Sequence, residues 1–408
     1  MKQTDGGVTA AQGFKAFGLR AGIKPGKTNK DMAMVWSDTP AAYAAVFTTN
    51  KVKAAPVLWD KEIADKGNTV RAIVINSGIA NACTGEQGKK DTETTALLAA
   101  DALSVSKEEV LVASTGVIGA PLPMDVIEKG IKELSGKLQS DIESGTLAAE
   151  AIMTTDTKKK EIAVEFELGG KRVTMGGMCK GSGMIHPNMG TMLAFVTTDA
   201  AISADLLKKA LKEDVKDTFN MVSVDGDTST NDTLMVLANG CAKNAPVTAE
   251  GEDFETFKKA LHFINEYLAK RIAEDGEGAT RLFETTVLNA KTKEDARILA
   301  RSVISSNLTK AAIFGKDANW GRILCALGYS GGDFVPDKTD VTIKSDKGEI
   351  QLVAGGMAAS YSEDVASEIL GADAVTAVID VHDGDFSATA WGCDLTFDYV
   401  TINADYRS

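Results

Sequence analysis

The sequence predicts a mixed α/β protein. Three observations carry that expectation. Short apolar runs bounded by turn residues alternate with longer runs of helical period, and several strand pairs are separated by hairpin signals. The 408 residues also combine 44% hydrophobic with 25% charged residues, the balance of a folded domain rather than a disordered chain. At roughly 100–200 residues per domain, that length suggests about two or three units or one elaborated fold.

The elements follow in order. Val70 to Asn76 is an apolar run ending at Ser77-Gly78, a buried strand with its turn. Asp91 to Leu103 is Ala-, Leu- and Thr-rich with helical period, and Glu109 to Ala113 is a second strand running into Ser114-Thr115-Gly116. Met124 to Leu138 follows Pro123 and places Val126, Ile127, Ile131 and Leu134 on one helical face. Ile162–Phe166 and Lys171–Met178 alternate around Gly169-Gly170, the signature of a hairpin. The Gly- and Met-rich stretch 175–190 reads as a long loop feeding a strand at Met192–Thr197. Helices are expected at 205–215, 254–272 and 363–370, within a strand-rich tail from Asp340 onward.

Charge and composition narrow the function. Lys and Arg total 44 against 57 Asp and Glu, a net charge of −13, which argues against nucleic acid as the main partner. No stretch has the 18 or more apolar residues of a membrane span, and the first twenty residues lack a signal-peptide apolar core. Cys83, Cys179, Cys241, Cys325 and Cys393 are scattered without a C-x-x-C, as expected of reduced thiols in a cytoplasmic protein. His186, His262 and His382 show no metal-ligand spacing, and the acidic turns 225–227 and 380–385 match no calcium loop, so neither a metal nor a cofactor is expected.

Two motifs tempt and fail on context. Ala21 to Thr28 fits a loose phosphate-binding loop, but Pro25 removes a backbone donor and a strand, not a helix, follows at Met32–Trp36. A surface hairpin turn is the expected structure. Gly328-Tyr329-Ser330-Gly331-Gly332 fits G-x-S-x-G, yet Asp333 to Asp337 is turn chemistry where a nucleophile elbow needs a helix.

The stretch from Met175 to Ala200 is more informative. Four glycines fall within residues 176–183, and a strand begins abruptly near Thr191. A threonine after a small residue can attack its own preceding carbonyl. Cleavage after Gly190 would leave Thr191 with a free α-amine, whose reference pKa of about 7.7–8.0 suits it as a base beside its own hydroxyl.

KGSGMIHPNMGTMLAF resembles the ornithine acetyltransferase family of bacterial arginine biosynthesis. So do GVTAAQGFKAFGLRAGIK near the start, INSGIANACTG at 75–85, ASTGVIG at 113–119, SVDGDTSTNDT at 223–233 and INADYRS at the end. The resemblance runs the whole chain. It implies a fold of N-terminal-nucleophile type with two α/β lobes around one active site. It also implies self-cleavage between Gly190 and Thr191 into an α chain (1–190) and a β chain (191–408) that assemble as α2β2.

The implied reaction is ping-pong acetyl transfer from N2-acetylornithine to glutamate through an acetyl-Thr191 ester, and part of the family also accepts acetyl-CoA. Thr115 and Gly116 match the family's oxyanion pair. Thr154, Lys180, Thr191, Glu277, Asn403 and Ser408 match its substrate contacts. Lys180 suits a substrate carboxylate, and Glu277 suits the ornithine ammonium or proton handling. Read alone, Lys180 would be a solvated charge, Glu277 a carboxylate at a helix end, and Thr115-Gly116 a strand-ending turn. Three positions depart from the family pattern: Gly190 where alanine is usual, Ile79 where a polar residue is common, and Ser408 where threonine is frequent. The rival readings are a self-cleaving aminopeptidase or amidohydrolase with the same nucleophile, and an uncut binding protein in which Thr191 merely starts a strand.

Overall fold

A computed structural model describes residues 1–24, 26–67, 69–186 and 192–404. Gly190, Thr191 and Ser408 lie outside the described residues. The chain divides into two compact units: Met1–Gly181, Pro187–Lys216 and Thr228–Leu268 form the first, and Ser182–His186, Asp217–Asp227 and Ala269–Ser408 the second.

In chain order the first strands are β1 (Lys2–Thr4), β2 (Phe14–Leu19), β3 (Met32–Phe47), β4 (Val70–Ile79), β5 (Val110–Val117), β6 (Lys160–Leu168), β7 (Lys171–Lys180) and β8 (Leu193–Thr198). A short β9 (Val222–Ser223), which belongs to the second unit, precedes β10 (Thr233–Ala238). The first unit's sheet runs β1-β6-β7-β8-β10-β3-β4-β5, with β2 also on β3. β3 serves two sets of neighbours because its register breaks between Trp36 and Ala41, around Pro40, a residue a regular ladder cannot take.

Alternation along these strands makes two cores. Ala33, Val35, Ile73, Ile75, Leu111 and Ala113 face one side, joined by Phe195 and Met235. Met32, Met34, Ala72, Val74, Val110 and Val112 face the other, covered by Ile127 and Ile131. With both faces buried, β4 and β5 read as continuous apolar runs, which is why the sequence reveals them. Each fully buried large apolar side chain contributes about 1.5–3 kcal/mol of transfer free energy.

Helices α1 (Ala55–Lys66), α2 (Gly85–Leu103), α3 (Met124–Ser135), α4 (Ile142–Ala151) and α5 (Ala204–Asp214) belong to this unit. α6 (Glu252–Glu274) contributes its residues up to Leu268. α5 begins at Ser203, whose hydroxyl accepts the Leu206 N–H, and buries Leu207, Ala210 and Leu211. α1 ends at Gly67 in the left-handed region, at φ 69°.

The second unit holds a sheet in the order β14-β13-β12-β15-β11-β16-β9. Its further strands are β11 (Leu282–Ala290), β12 (Asp340–Ser345), β13 (Gly348–Ala354), β14 (Met357–Ala358), β15 (Ala374–Asp380) and β16 (Phe386–Cys393). Its helices are α7 (Lys293–Ser305), α8 (Asn307–Gly315), α9 (Trp320–Gly328), α10 (Glu363–Leu370) and α11 (Phe397–Ala404). The tail is strand-rich as expected, and α10 falls on the expected residues. No helix follows Ser330, so the G-x-S-x-G match is not a nucleophile elbow.

Several boundaries shift for physical reasons. The β6–β7 hairpin turns on Gly169 and Gly170, both at positive φ (54° and 71°), as its sequence predicts. β7, however, continues to Lys180, so the stretch expected as a loop is strand from Met175 to Lys180. Its glycines serve close packing: a Cβ at Gly176 would lie 2.0 Å from the Gly7 carbonyl oxygen. β5 likewise runs past Ala113 and includes Ser114, Thr115 and Gly116. Helices α1, α4, α7–α9 and α11 were not anticipated. α4 (IESGTLAAEA) illustrates why: its buried face is made of Ser144, Gly145, Ala148, Ala149 and Ala151, which give little apolar periodicity.

Candidate active site

In the first unit the candidate residues gather where β4, β5 and β7 end. β4 and β5 pair in parallel, Ser77 with Thr115 and Gly78 with Gly116, and the register then breaks at Ile79. Gly116 has φ +133°, and a Cβ there would lie 2.2 Å from the Gly78 carbonyl carbon. Only glycine fits, so the backbone on either side of this peptide is fixed by contact.

Lys180 closes β7 opposite Leu193, the first residue of β8. It is 8% exposed, so it is not the solvated charge that sequence alone suggests. Its Nζ donates to Thr115 Oγ1 at 3.3 Å. The next peptide, Gly181 N–H, donates to Asp156 Oδ1 at 2.7 Å, and Lys160 Nζ donates to the same oxygen at 2.7 Å. Asp156 Oδ2 accepts the Thr154 N–H at 3.0 Å, which ties the Thr154 loop to the end of β7. Burial by itself would raise the Asp156 carboxyl, but Lys160 and Lys180 outweigh it and hold the group at about 2.

Four residues join this cluster that sequence reasoning missed. Lys24 Nζ donates to the Met153 carbonyl at 2.8 Å, and burial pulls its ammonium down to about 8 against the pull of Asp31. The turn that carries it is a hairpin connection with its tip, Gly26 to Asn29, exposed, as expected; only its base is buried, at Ile23 and Asp31. Asp31 is fully buried and accepts N–H bonds from Ala21 at 2.6 Å and Lys24 at 3.1 Å. Asp232 is 2% exposed, and burial drives its carboxyl well above the usual carboxylate range, opposed by bonds to Ser229 and Thr48 and by the Lys180 charge. Its neighbour Asn231 donates to the carbonyls of Ala80 at 2.6 Å and Ser114 at 2.7 Å. The only sequence signal for these two was their place in the 223–233 motif.

The second unit assembles Glu277 and Asn403. Asn403 Nδ2 donates to Glu277 Oε2 at 2.8 Å, and the Glu277 N–H donates to the Ser182 carbonyl at 3.0 Å. Glu277 is 7% exposed. Gly183 packs so closely on it that a Cβ would come within 2.3 Å of the carboxyl carbon. Asp225 fastens the same segment by accepting the Met184 and Ile185 N–H groups at 2.6 and 2.9 Å. Burial, with Asp225 and Glu277 nearby, pushes the Tyr399 hydroxyl far above its ordinary value, so it stays protonated and able to donate.

The histidines are occupied elsewhere. His186 meets Ser223 Oγ through Nδ1 at 3.0 Å and Arg301 through Nε2 at 3.1 Å. Burial and then the Arg301 charge hold it at about 4, so it is neutral near pH 7. His262 lies beside Asp214, and His382 beside Asp340 and Asp380. No helix among the described residues is long and apolar enough to cross a membrane.

Residues 15–408 match the ArgJ family. The chain is 52% identical over 408 residues to the arginine biosynthesis bifunctional protein ArgJ of Caldanaerobacter subterraneus subsp. tengcongensis, covering 100% of each chain. It is 49% identical over 398 residues to its counterpart in Thermotoga neapolitana, covering 97% of this chain and 99% of the relative. Among solved structures, it is similar to the ornithine acetyltransferase of Mycobacterium tuberculosis, crystallised in complex with ornithine. That match is 44% identical, covers 45% of this chain and 95% of the solved chain, and has a TM-score of 0.42. With the family matched over nearly the whole length, the chain belongs to the ArgJ family, the acyltransferases of arginine biosynthesis.

Proposed function

We propose that the chain cuts itself between Gly190 and Thr191 and then transfers the acetyl group of N2-acetyl-L-ornithine to L-glutamate through an acetyl-Thr191 ester. The observation that carries this reading is the pairing of Lys180 Nζ with Thr115 Oγ1 beside the sterically fixed Gly116 peptide. It supplies a buried group of donors at the end of β7, opposite the strand that begins two residues after Thr191 in sequence. Family membership supports the substrates.

In the first half-reaction the Thr191 hydroxyl adds to the acetyl carbonyl and passes its proton to the Thr191 α-amine. The carbonyl oxygen becomes an oxyanion, stabilised by the Thr115 hydroxyl and the Gly116 N–H. The C–N bond then breaks, and the α-amine delivers the proton to the departing ornithine nitrogen. In the second half-reaction glutamate's amine adds to the ester, the C–O bond breaks, and the proton returns to Thr191 Oγ. Lys180 pairs with the substrate carboxylate, and Thr154 and Ser408 contact the same substrate. Glu277, oriented by Asn403, takes the ornithine ammonium. The two products of cleavage, 1–190 and 191–408, remain associated and form an α2β2 assembly.

Intact mass of the purified protein beside Thr191→Ala tests this. Two fragments meeting at Gly190/Thr191, an uncut mutant, and a gain of about 42 Da on the second fragment with N2-acetylornithine are expected, as for a covalent acetyl ester. Glutamate should discharge that ester to N-acetylglutamate. Discharge only to acetate would instead identify an amidohydrolase, and labelling by acetyl-CoA alone would identify a second donor. A single uncut species in both samples would overturn the mechanism.

A further inference from the structure

The 223–233 motif carries residues that the proposed reaction does not use. Asn231 is the most committed of them. It is 6% exposed, and every polar atom of its side chain is engaged. One Nδ2 hydrogen goes to the Ser114 carbonyl at 2.7 Å and the other to the Ala80 carbonyl at 2.6 Å, while Oδ1 accepts the Thr230 hydroxyl at 2.6 Å. An amide turned the other way would set an oxygen against two carbonyls, so this arrangement fixes the ring of contacts in one sense.

Those two carbonyls bracket the oxyanion pair. The Ser114 carbonyl belongs to the peptide that leads into Thr115. Ala80 lies just past the register break, where its N–H donates to the Val117 carbonyl at 2.9 Å, one residue beyond Gly116. From within β5 and β4, Ser114 Oγ donates to Asn76 Oδ1 at 2.6 Å, and Asn76 Nδ2 donates to the Ile79 carbonyl at 2.9 Å. Asn231 is the member of this network that comes from outside both strands. It sits two residues before Thr233, whose N–H donates to the Met192 carbonyl at 2.8 Å and which pairs with Leu193. The segment 231–233 thus links the start of β8 to Ser114, directly before Thr115, and to Ala80, which in turn holds Val117, directly after Gly116.

We infer that Asn231 is a positioning residue for the reaction: its amide holds the Ser114 and Ala80 carbonyls so that the Thr115 hydroxyl and the Gly116 N–H converge on one point. The inference rests on the reading of Thr115 and Gly116 as the oxyanion pair. Asn231 touches no reacting atom and acts only through their placement. A misplacement of about 1 Å costs on the order of 10²-fold in rate, and loss of one donor about 10²–10³-fold.

The test compares Asn231→Ala, Asn231→Asp, Thr115→Ala and Thr115→Ala/Asn231→Ala in full-length protein, with rates normalised to the cleaved fraction from intact mass. Asn231→Ala is expected to lower kcat about 10- to 100-fold with KM for N2-acetylornithine changed less than about threefold, as loss of transition-state positioning requires. Asn231→Asp, which when protonated returns one donor, should recover part of that loss. In the Thr115→Ala background the Asn231 change should cost less than alone, because part of its action runs through the hydroxyl already removed and only the Gly116 N–H remains to be placed. Wild-type kcat in the Asn231 variants, with Thr115→Ala impaired, would overturn the inference and leave the oxyanion reading standing. Wild-type kcat in Thr115→Ala would overturn the oxyanion reading itself, and the inference with it. For any variant that stays uncut, amide exchange decides: faster exchange confined to residues 78–84 and 110–119 supports the inference, and unchanged exchange there overturns it.

Discussion

Lys180 Nζ lies 3.3 Å from Thr115 Oγ1, joining the last residue of β7 to the third-last residue of β5. A lysine that donates to a threonine hydroxyl leaves that hydroxyl's own proton free to point elsewhere, and its charge raises the hydroxyl's strength as a donor. Lys180→Met keeps most of the stem and removes both effects. Its kcat should fall about 10- to 100-fold, the range for a weakened oxyanion donor. Steady-state kinetics corrected for the cleaved fraction would measure it, and an unchanged kcat would exclude the role.

Asp156 is the anchor beneath that lysine, accepting from Gly181, Lys160 and Thr154. Replacing it by Asn leaves Lys160 and Lys180 without their carboxylate in a buried place. Breaking such a pair from one side costs about 3–5 kcal/mol. The folded carboxyl sits near 2, below its unfolded value, so its stabilisation is complete above about pH 4 and is lost as pH falls through 2. Urea unfolding should therefore show Asp156→Asn much less stable than wild type at pH 7, with the gap narrowing toward pH 2.

The candidate residues were unequally legible in sequence. Thr115, Gly116, Lys180, Glu277 and Asn403 were named as candidates because motifs give residue types at fixed places; Lys180 meets Thr115 in the first unit and Asn403 meets Glu277 in the second. Lys24 and Asn231 were invisible because their importance is tertiary. Nothing in a Lys-Pro-Gly-Lys turn announces that the first lysine is half-buried near Asp31, and nothing in Thr-Asn-Asp shows which carbonyls the asparagine reaches. The glycines at 176 and 177 misled for a related reason. Glycine marks both loops and close strand packing, and only the neighbouring backbone of Gly7 or the side chains of Ile264 and Leu268 decide between them.

Lys24 gives a pH signature of the same sense as Asp156, stability rising with pH, but in the alkaline range and by relief of a cost. Its ammonium is lowered to about 8, chiefly by burial. Protonation is therefore unfavourable in the folded state: the cost is complete below about pH 8 and vanishes as pH rises past the unfolded value near 10.4. Relative to Lys24→Met, wild type should gain stability between pH 8 and pH 10.5. Parallel denaturation curves of the two proteins at pH 7 and pH 10.5 would measure this, and a pH-independent gap would refute it.

Two glycine substitutions should separate catalysis from substrate holding. At Gly116 an added Cβ meets backbone, 2.2 Å from the Gly78 carbonyl carbon, at a φ of +133°. Backbone strain alone costs about 1–3 kcal/mol, and relieving the clash must move the Gly116 N–H, so Gly116→Ala should lose kcat and stability together. At Gly183 the φ is not left-handed, and the added Cβ meets the Glu277 carboxyl, the end of a side chain that can swing away. Gly183→Ala should fold with near wild-type stability but displace Glu277 from Asn403. That change should raise KM for N2-acetylornithine with a smaller effect on kcat. Thermal unfolding beside a kcat and KM determination distinguishes the two variants. A Gly183→Ala enzyme with unaltered KM would show that Glu277 does not hold the substrate.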